Sequence, residues 1–183
     1  YFVNKSTDLT SYDNFPNFAL INKWRLIKKD PNAEMSEPEE PIVFWVENTT
    51  PEEIIPAVVA GIENWNMAFE EAGFINAVVA KIQPKDAEWD AADYDYNVVR
   101  WSSEPDGNLL GIGPSVTNPL TGEIISGDVV NKLLAVKVGY NYRKLYGYTE
   151  DNDPLMQYIT NLTLHEVGHV LGLRHNFRGS YLY

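Results

Sequence analysis

The chain contains no cysteine, which excludes a disulfide framework, a cysteine nucleophile and every thiolate metal site. Histidine is nearly as scarce: there are three in 183 residues, and all lie between positions 165 and 175. Basic residues number 14 against 26 acidic ones, and the formal charge of −12 argues against nucleic acid or an anionic membrane surface as partner. No apolar run approaches the roughly 18 residues of a transmembrane helix, and no basic-then-apolar leader opens the chain. Methionine is rare, and Met35, Met67 and Met156 all precede the histidines. What is present is globular in composition, 44% hydrophobic and 13% aromatic. The length suits one domain with a sizeable core. A chain that opens on Tyr1 rather than Met reads as processed or excised from something longer.

Along the chain, Phe18 to Lys28 alternates, with Leu20, Trp24 and Leu26 on one side, and reads as a strand or hairpin arm. Residues 30–41 (DPNAEMSEPEEP) carry three prolines and five acidic residues, the composition of an exposed linker. We therefore expect an N-terminal arm and acidic linker over 1–40 and a main domain over 41–183. Ile42–Val46 is an apolar run of strand type. Thr50, Pro51 and Glu53 form a capping-box pattern, although Pro56 favours a regular helix that begins near it. Val58, Ile62, Trp65, Phe69 and Ala72 then recur at steps of four and three, until Gly73 stops the helix.

Strand-like runs follow at Ala77–Ile82 and Asn97–Ser102, separated by an acidic loop (KDAEWDAADYD) that reads as solvated surface. Residues 111–131 read as two strands joined at Asn118–Gly122. Pro114 suits a sheet margin, because proline cannot donate to a mid-sheet ladder. Four tyrosines between Tyr140 and Tyr148 read as a loop that covers the core.

The last element carries the chemistry. Asp153-Pro154 is an N-cap followed by proline at the first helical position, and Gly172 supplies a C-terminal stop. Between them lies HEVGHVLGLRH, residues 165–175. His165 and His169 stand one turn apart, about 6 Å along the axis, and project from the same helix face. Two nitrogens can thus reach one metal, while Met156, Ile159, Val167, Val170 and Leu171 form a core stripe on roughly the opposite side. Glu166 points about 100° round the helix, where a general base must stand to take a proton from a metal-activated water. Gly172 permits a sharp turn that brings back His175 as a third ligand. Three imidazoles with one open position is the arrangement of catalytic Zn2+. Arg174 and Arg178 are better suited to offset the helix C-terminal charge than to bind a substrate carboxylate.

This stretch matches HExxHxxGxxH and resembles the metzincin clan of zinc endopeptidases. With GIGPSVTNPLTGEII at 111–125 and NWNMAFEEAGF at 64–74, it is similar to a family of large, mostly bacterial, secreted zinc-dependent metalloproteases. The resemblance covers about residues 41–178. It implies an α+β, zincin-like upper subdomain, with a five-stranded, mainly parallel twisted sheet, one antiparallel edge strand and two long helices. His165, His169 and His175 carry over as zinc ligands and Glu166 as catalytic base. Residues 111–117 carry over as the edge strand, with Gly111, Ile112, Gly113, Pro114 and Ser115 binding a polypeptide substrate. A secreted, periplasmic or cell-envelope location is also implied. The clan places a methionine turn after the third histidine. Since no Met follows His175 here, the lower subdomain is expected to be missing, with weakened zinc binding or activity as the consequence.

The expected activity is therefore hydrolysis of peptide bonds by metal-activated water with Glu166 as base. Two alternatives use the same residues: a non-catalytic module that binds peptides or glycans, and a zinc hydrolase acting on a non-peptide amide. An intact Glu166 favours catalysis, because a binding module has no need of a base there.

Overall fold

The computed structural model describes residues 3–7, 10, 12, 17–104, 110–149 and 152–176. A two-stranded antiparallel arm comes first, β1 (Val3–Thr7) on β2 (Asn17–Ile21); the strand expected over Phe18 to Lys28 ends at Ile21, so Trp24 and Leu26 lie beyond it. The chain beyond it is not detached. Trp24 and Leu26 pack on the core, and the acidic stretch is tied down where Ser36 donates to Gly73 O and its own carbonyl accepts from Ile75.

β3 (Ile42–Val46) starts the main sheet. Its alternation is consequential: Ile42, Phe44 and Val46 are buried, while Val43 and Trp45 face the other side. There Trp45 meets the edges of Trp89 and Tyr96, which stack on each other at 4.0 Å, so the polar loop is anchored through its aromatic residues.

The helix after β3 begins at Ile55, with Pro56 in its first turn and no side-chain cap; the capping box does not form. Glu53 is occupied elsewhere, with Arg143 and Tyr140. The helix is also not continuous. α1 (Ile55–Glu63) and α2 (Asn66–Glu71) are separated at Asn64 and Trp65. Val58 and Ile62 are buried as predicted, Trp65 and Phe69 pack against the core, and Ala72 is exposed. Gly73, at φ +84°, ends α2: its N–H bonds Glu70 O and the next N–H bonds Phe69 O, which closes the helix end.

β4 (Val78–Ile82) and β5 (Asn97–Ser102) lie either side of β3 and parallel to it. The 111–131 segment holds four strands rather than two. β6 (Gly111–Ile112) and β9 (Val129–Lys132) join the main sheet, whereas β7 (Ser115–Thr117) and β8 (Ile124–Gly127) form a separate antiparallel pair. The order β4-β3-β5-β9-β6 makes a five-stranded, mainly parallel sheet with β6 as its antiparallel margin. The fold is α+β, of zincin-like upper-subdomain type.

α3 (Leu133–Tyr146) takes in most of the tyrosine-rich stretch 140–148 that reads as a loop in sequence. Ala135, Val136 and Gly139 bury one helical face instead, and Tyr140, Tyr142, Tyr146 and Tyr148 point outward rather than over the core. Closeness explains the glycine, since a Cβ at Gly139 would stand 2.4 Å from Leu155 Cδ1. α4 (Pro154–Val170) begins as predicted, with the Asp153 carboxylate accepting from Leu155 N at 3.0 Å. Its buried stripe, Leu155, Ile159, Val167 and Val170, joins Phe44, Val46, Val58 and Ile62 in one core. No helix among the described residues is long and apolar enough to cross a membrane.

Candidate metal centre

α4 carries His165 and His169 on its outer face, and the backbone after it delivers the third imidazole. Gly172 adopts φ +97°, where other residues are strained. Its N–H bonds His169 O at 3.0 Å, and Leu173 N bonds Gly168 O at 2.9 Å, a Schellman closure that fixes the direction of residues 173–176. Trp24 Nε1 donates to Val170 O at 3.0 Å and satisfies a carbonyl that the helix end leaves open.

The result is convergence. The Nε2 atoms of His165 and His175 are 3.0 Å apart, and His169 Nε2 lies 3.2 Å from each. Hydrogen bonds do not account for this triangle, because a neutral imidazole has one N–H and all three present the same nitrogen. His169 spends its N–H elsewhere: Nδ1 lies 2.9 Å from Leu173 O, which can only accept, so its Nε2 holds a lone pair. A tetrahedral ion with M–N distances of about 2.0–2.1 Å spaces its nitrogens about 3.3 Å apart. The donor set and its spacing therefore fit Zn2+, and His165, His169 and His175 are the group among the described residues that could hold a metal. Burial, above all, lowers the His165 pKa; the other two imidazoles add to this and Glu166 opposes it. A depressed pKa keeps the ring neutral, the form that ligates.

Two clefts meet at these imidazoles. One is lined by Leu110 to Pro114, Leu162 and Glu166; the other by Trp65, Gly168, Leu173, Arg174 and Asn176. Glu166 is 6% exposed, and of the two clefts it lines the first. Gly111 and Gly113 make this possible. A Cβ at Gly111 would stand 3.1 Å from Glu166 Oε1, and one at Gly113 only 2.3 Å from Glu166 O.

The segment predicted for substrate is divided by the structure. Gly111 and Ile112 form the sheet margin, Gly113 and Pro114 break it, and Ser115 belongs to the second sheet, paired with Gly127. Pro114 is the reason, since it has no N–H to extend the ladder. Lys132 and Asp128 donate to Leu110 O and Pro114 O, so the even-numbered residues bond towards β9. By antiparallel alternation, the backbone groups of Gly111 and Gly113 face the outer margin, beside the imidazoles. The opposite margin is capped over its first half. Asn66 bonds both Val78 N and Val78 O, at 3.0 and 2.8 Å, and Glu63 accepts from Ala80 N.

Some site residues carry no signal in spacing. Trp65 reads as an ordinary core residue in the apolar period, yet it lines the second cleft. Asn131, 1% exposed, donates to Thr163 on α4 and ties the strand beside Gly111 to the motif helix. Arg174 lies in the second cleft, and Arg178 is outside the described residues.

A zincin-like sheet whose marginal strand runs beside three convergent imidazoles defines a metzincin-like upper subdomain. The model of a family described as Met-zincin matches residues 148–183, the stretch that holds the motif helix and all three histidines. That segment is similar to the Met-zincin family. No curated protein and no solved structure matches the chain.

Proposed function

We propose that this protein is a zinc-dependent endopeptidase that hydrolyses peptide bonds with Glu166 as general base. One observation carries the reading: Glu166, almost fully buried, lines the same cleft as the three histidines and the glycine-containing strand margin. His165, His169 and His175 would hold the ion. Zinc, when bound, supplies Lewis acidity towards the scissile carbonyl and lowers the pKa of water to about 7.

The chain's own residues do the rest. An extended peptide pairs with the backbone groups of Gly111 and Gly113, a recognition by strand addition that is indifferent to side-chain identity. This lays the scissile bond across the imidazoles. Glu166 takes the proton of the attacking water and passes it to the leaving amine, so no covalent link to the enzyme is required. Burial of Glu166 keeps bulk water from competing for that proton. Location outside the cytoplasm belongs to the same proposal and rests on the family resemblance.

The test is cleavage of an unfolded polypeptide by the zinc-loaded protein and by Glu166→Gln, with zinc content measured in both. Loss of cleavage at unchanged zinc content is expected. Equal cleavage by the two proteins would sink the reading.

A further inference from the structure

The HExxH pattern leaves position 168 open, yet a glycine stands there, directly before the second imidazole. Glycine in a helix interior is unfavourable, because it sacrifices more backbone freedom than alanine. The structure shows what this glycine is for. A Cβ at Gly168 would lie 2.8 Å from Trp65 Cζ2 and 3.4 Å from Cη2, so the indole occupies that space. The same side chain donates from Nε1 to Leu164 O at 2.9 Å, the carbonyl immediately before His165. One indole thus grips the turn on both sides of the first imidazole, with its N–H at residue 164 and its ring at 168. Its ring also lines the cleft that holds the imidazoles.

Trp65 owes this position to the break between α1 and α2 and to the close approach of α1 to α4. A Cβ at Gly61 would stand 2.6 Å from Thr163 Cβ, and Thr160 Oγ1 donates to Ala57 O at 3.1 Å. The two helices therefore run close together up to the ligand turn, where the indole of Trp65 meets residues 164 and 168.

We propose that Trp65 is a positioning residue for the metal centre: its indole sets the rotation of residues 164–168 so that His165 and His169 direct Nε2 at one cation. This rests on the zinc reading above but does not require peptide cleavage. Partners that orient ligands from outside the coordination sphere commonly change metal affinity by 10–100-fold when removed.

The experiment is zinc affinity by competition with a chromophoric chelator, together with the visible d–d spectrum of the cobalt(II)-loaded protein. Wild type, W65F, W65L and Ile159→Val are compared. Ile159→Val trims the core stripe of the same helix without touching the ligand turn. We expect W65L to weaken zinc about tenfold and to alter the cobalt bands, W65F to weaken it about threefold because the ring survives, and Ile159→Val to lower only the melting temperature. If W65L and W65F bind zinc within about twofold of wild type while melting lower, as Ile159→Val does, the role is merely structural and the proposal is overturned. Should W65L not fold, Gly168→Ala decides instead, since its methyl displaces the indole while keeping it; zinc affinity equal to wild type overturns the proposal. Wild type that binds no zinc overturns the metal reading itself, a result distinct from equal affinities.

Discussion

Gly111 lies against the carboxyl arm of Glu166: a Cβ there would stand 3.0 Å from Cγ, 3.1 Å from Oε1 and 3.2 Å from Cδ. Alanine at 111 must push the carboxyl aside by a few tenths of an ångström. Proton transfer depends on such reach, so Gly111→Ala is expected to lower kcat about tenfold with zinc content unchanged. Steady-state kinetics beside metal analysis checks this. Unaltered kcat would mean that the carboxyl works from another position.

Gly172 combines a left-handed backbone with a wall behind it, since a Cβ would stand 2.6 Å from Asn22 O. Left-handed geometry alone costs a non-glycine residue about 1–2 kcal/mol. Gly172→Ala is therefore expected to lose about 2 kcal/mol in urea denaturation and to weaken zinc, because the same turn delivers His175.

Zinc is expected to stabilise the fold by mass action, by about 4 kcal/mol at a thousandfold excess over Kd. A chelator should reverse the rise in melting temperature. In His175→Ala the rise should shrink sharply while the metal-free protein melts as wild type does.

Arg143 bridges Glu53 and the N-cap carboxylate of Asp153, joining α3 to both other long elements of the helical layer. Hydrogen bonds from Arg143 hold both carboxyls below their ordinary values of 4.5 and 3.8. A depressed carboxylate pKa gives stability that is complete above the unfolded value and is lost as pH falls through the folded one. The melting gap between wild type and Arg143→Met should therefore be full at pH 6 and narrow steadily below about pH 4.5. A gap constant down to pH 3 would contradict this, an outcome that thermal melts across the range would reveal.

Asn66 caps the start of the β4 margin with two bonds to Val78. Removing them in Asn66→Ala should cost about 1–3 kcal/mol and leave an open strand edge. Light scattering at rising protein concentration should detect association of this variant and none of the wild type.

Much of this is legible in the sequence. β3 and β5 fall on the residues their composition marks, and the motif helix begins at Asp153 and turns at Gly172 as caps and glycine require. Local rules suffice there because the interactions are local. α3 was not legible: the tyrosines from Tyr140 resemble a loop, and only the structure shows Gly139 giving Leu155 the space it needs. The division of 111–117 was equally hidden, because Pro114 announces a sheet margin without saying that the next residues join another sheet.

For the candidate metal centre, the sequence by itself determined which imidazoles come together, since helical spacing puts His165 and His169 on one face and a single glycine turns the chain towards His175. Only the tertiary structure decided which strand margin lies beside them, without a further strand among the described residues, and which is capped at its start by Asn66. It alone shows why Gly111, Gly113 and Gly168 must lack side chains. Those constraints come from residues far apart in the chain meeting at contact distance, and no local pattern records such a meeting.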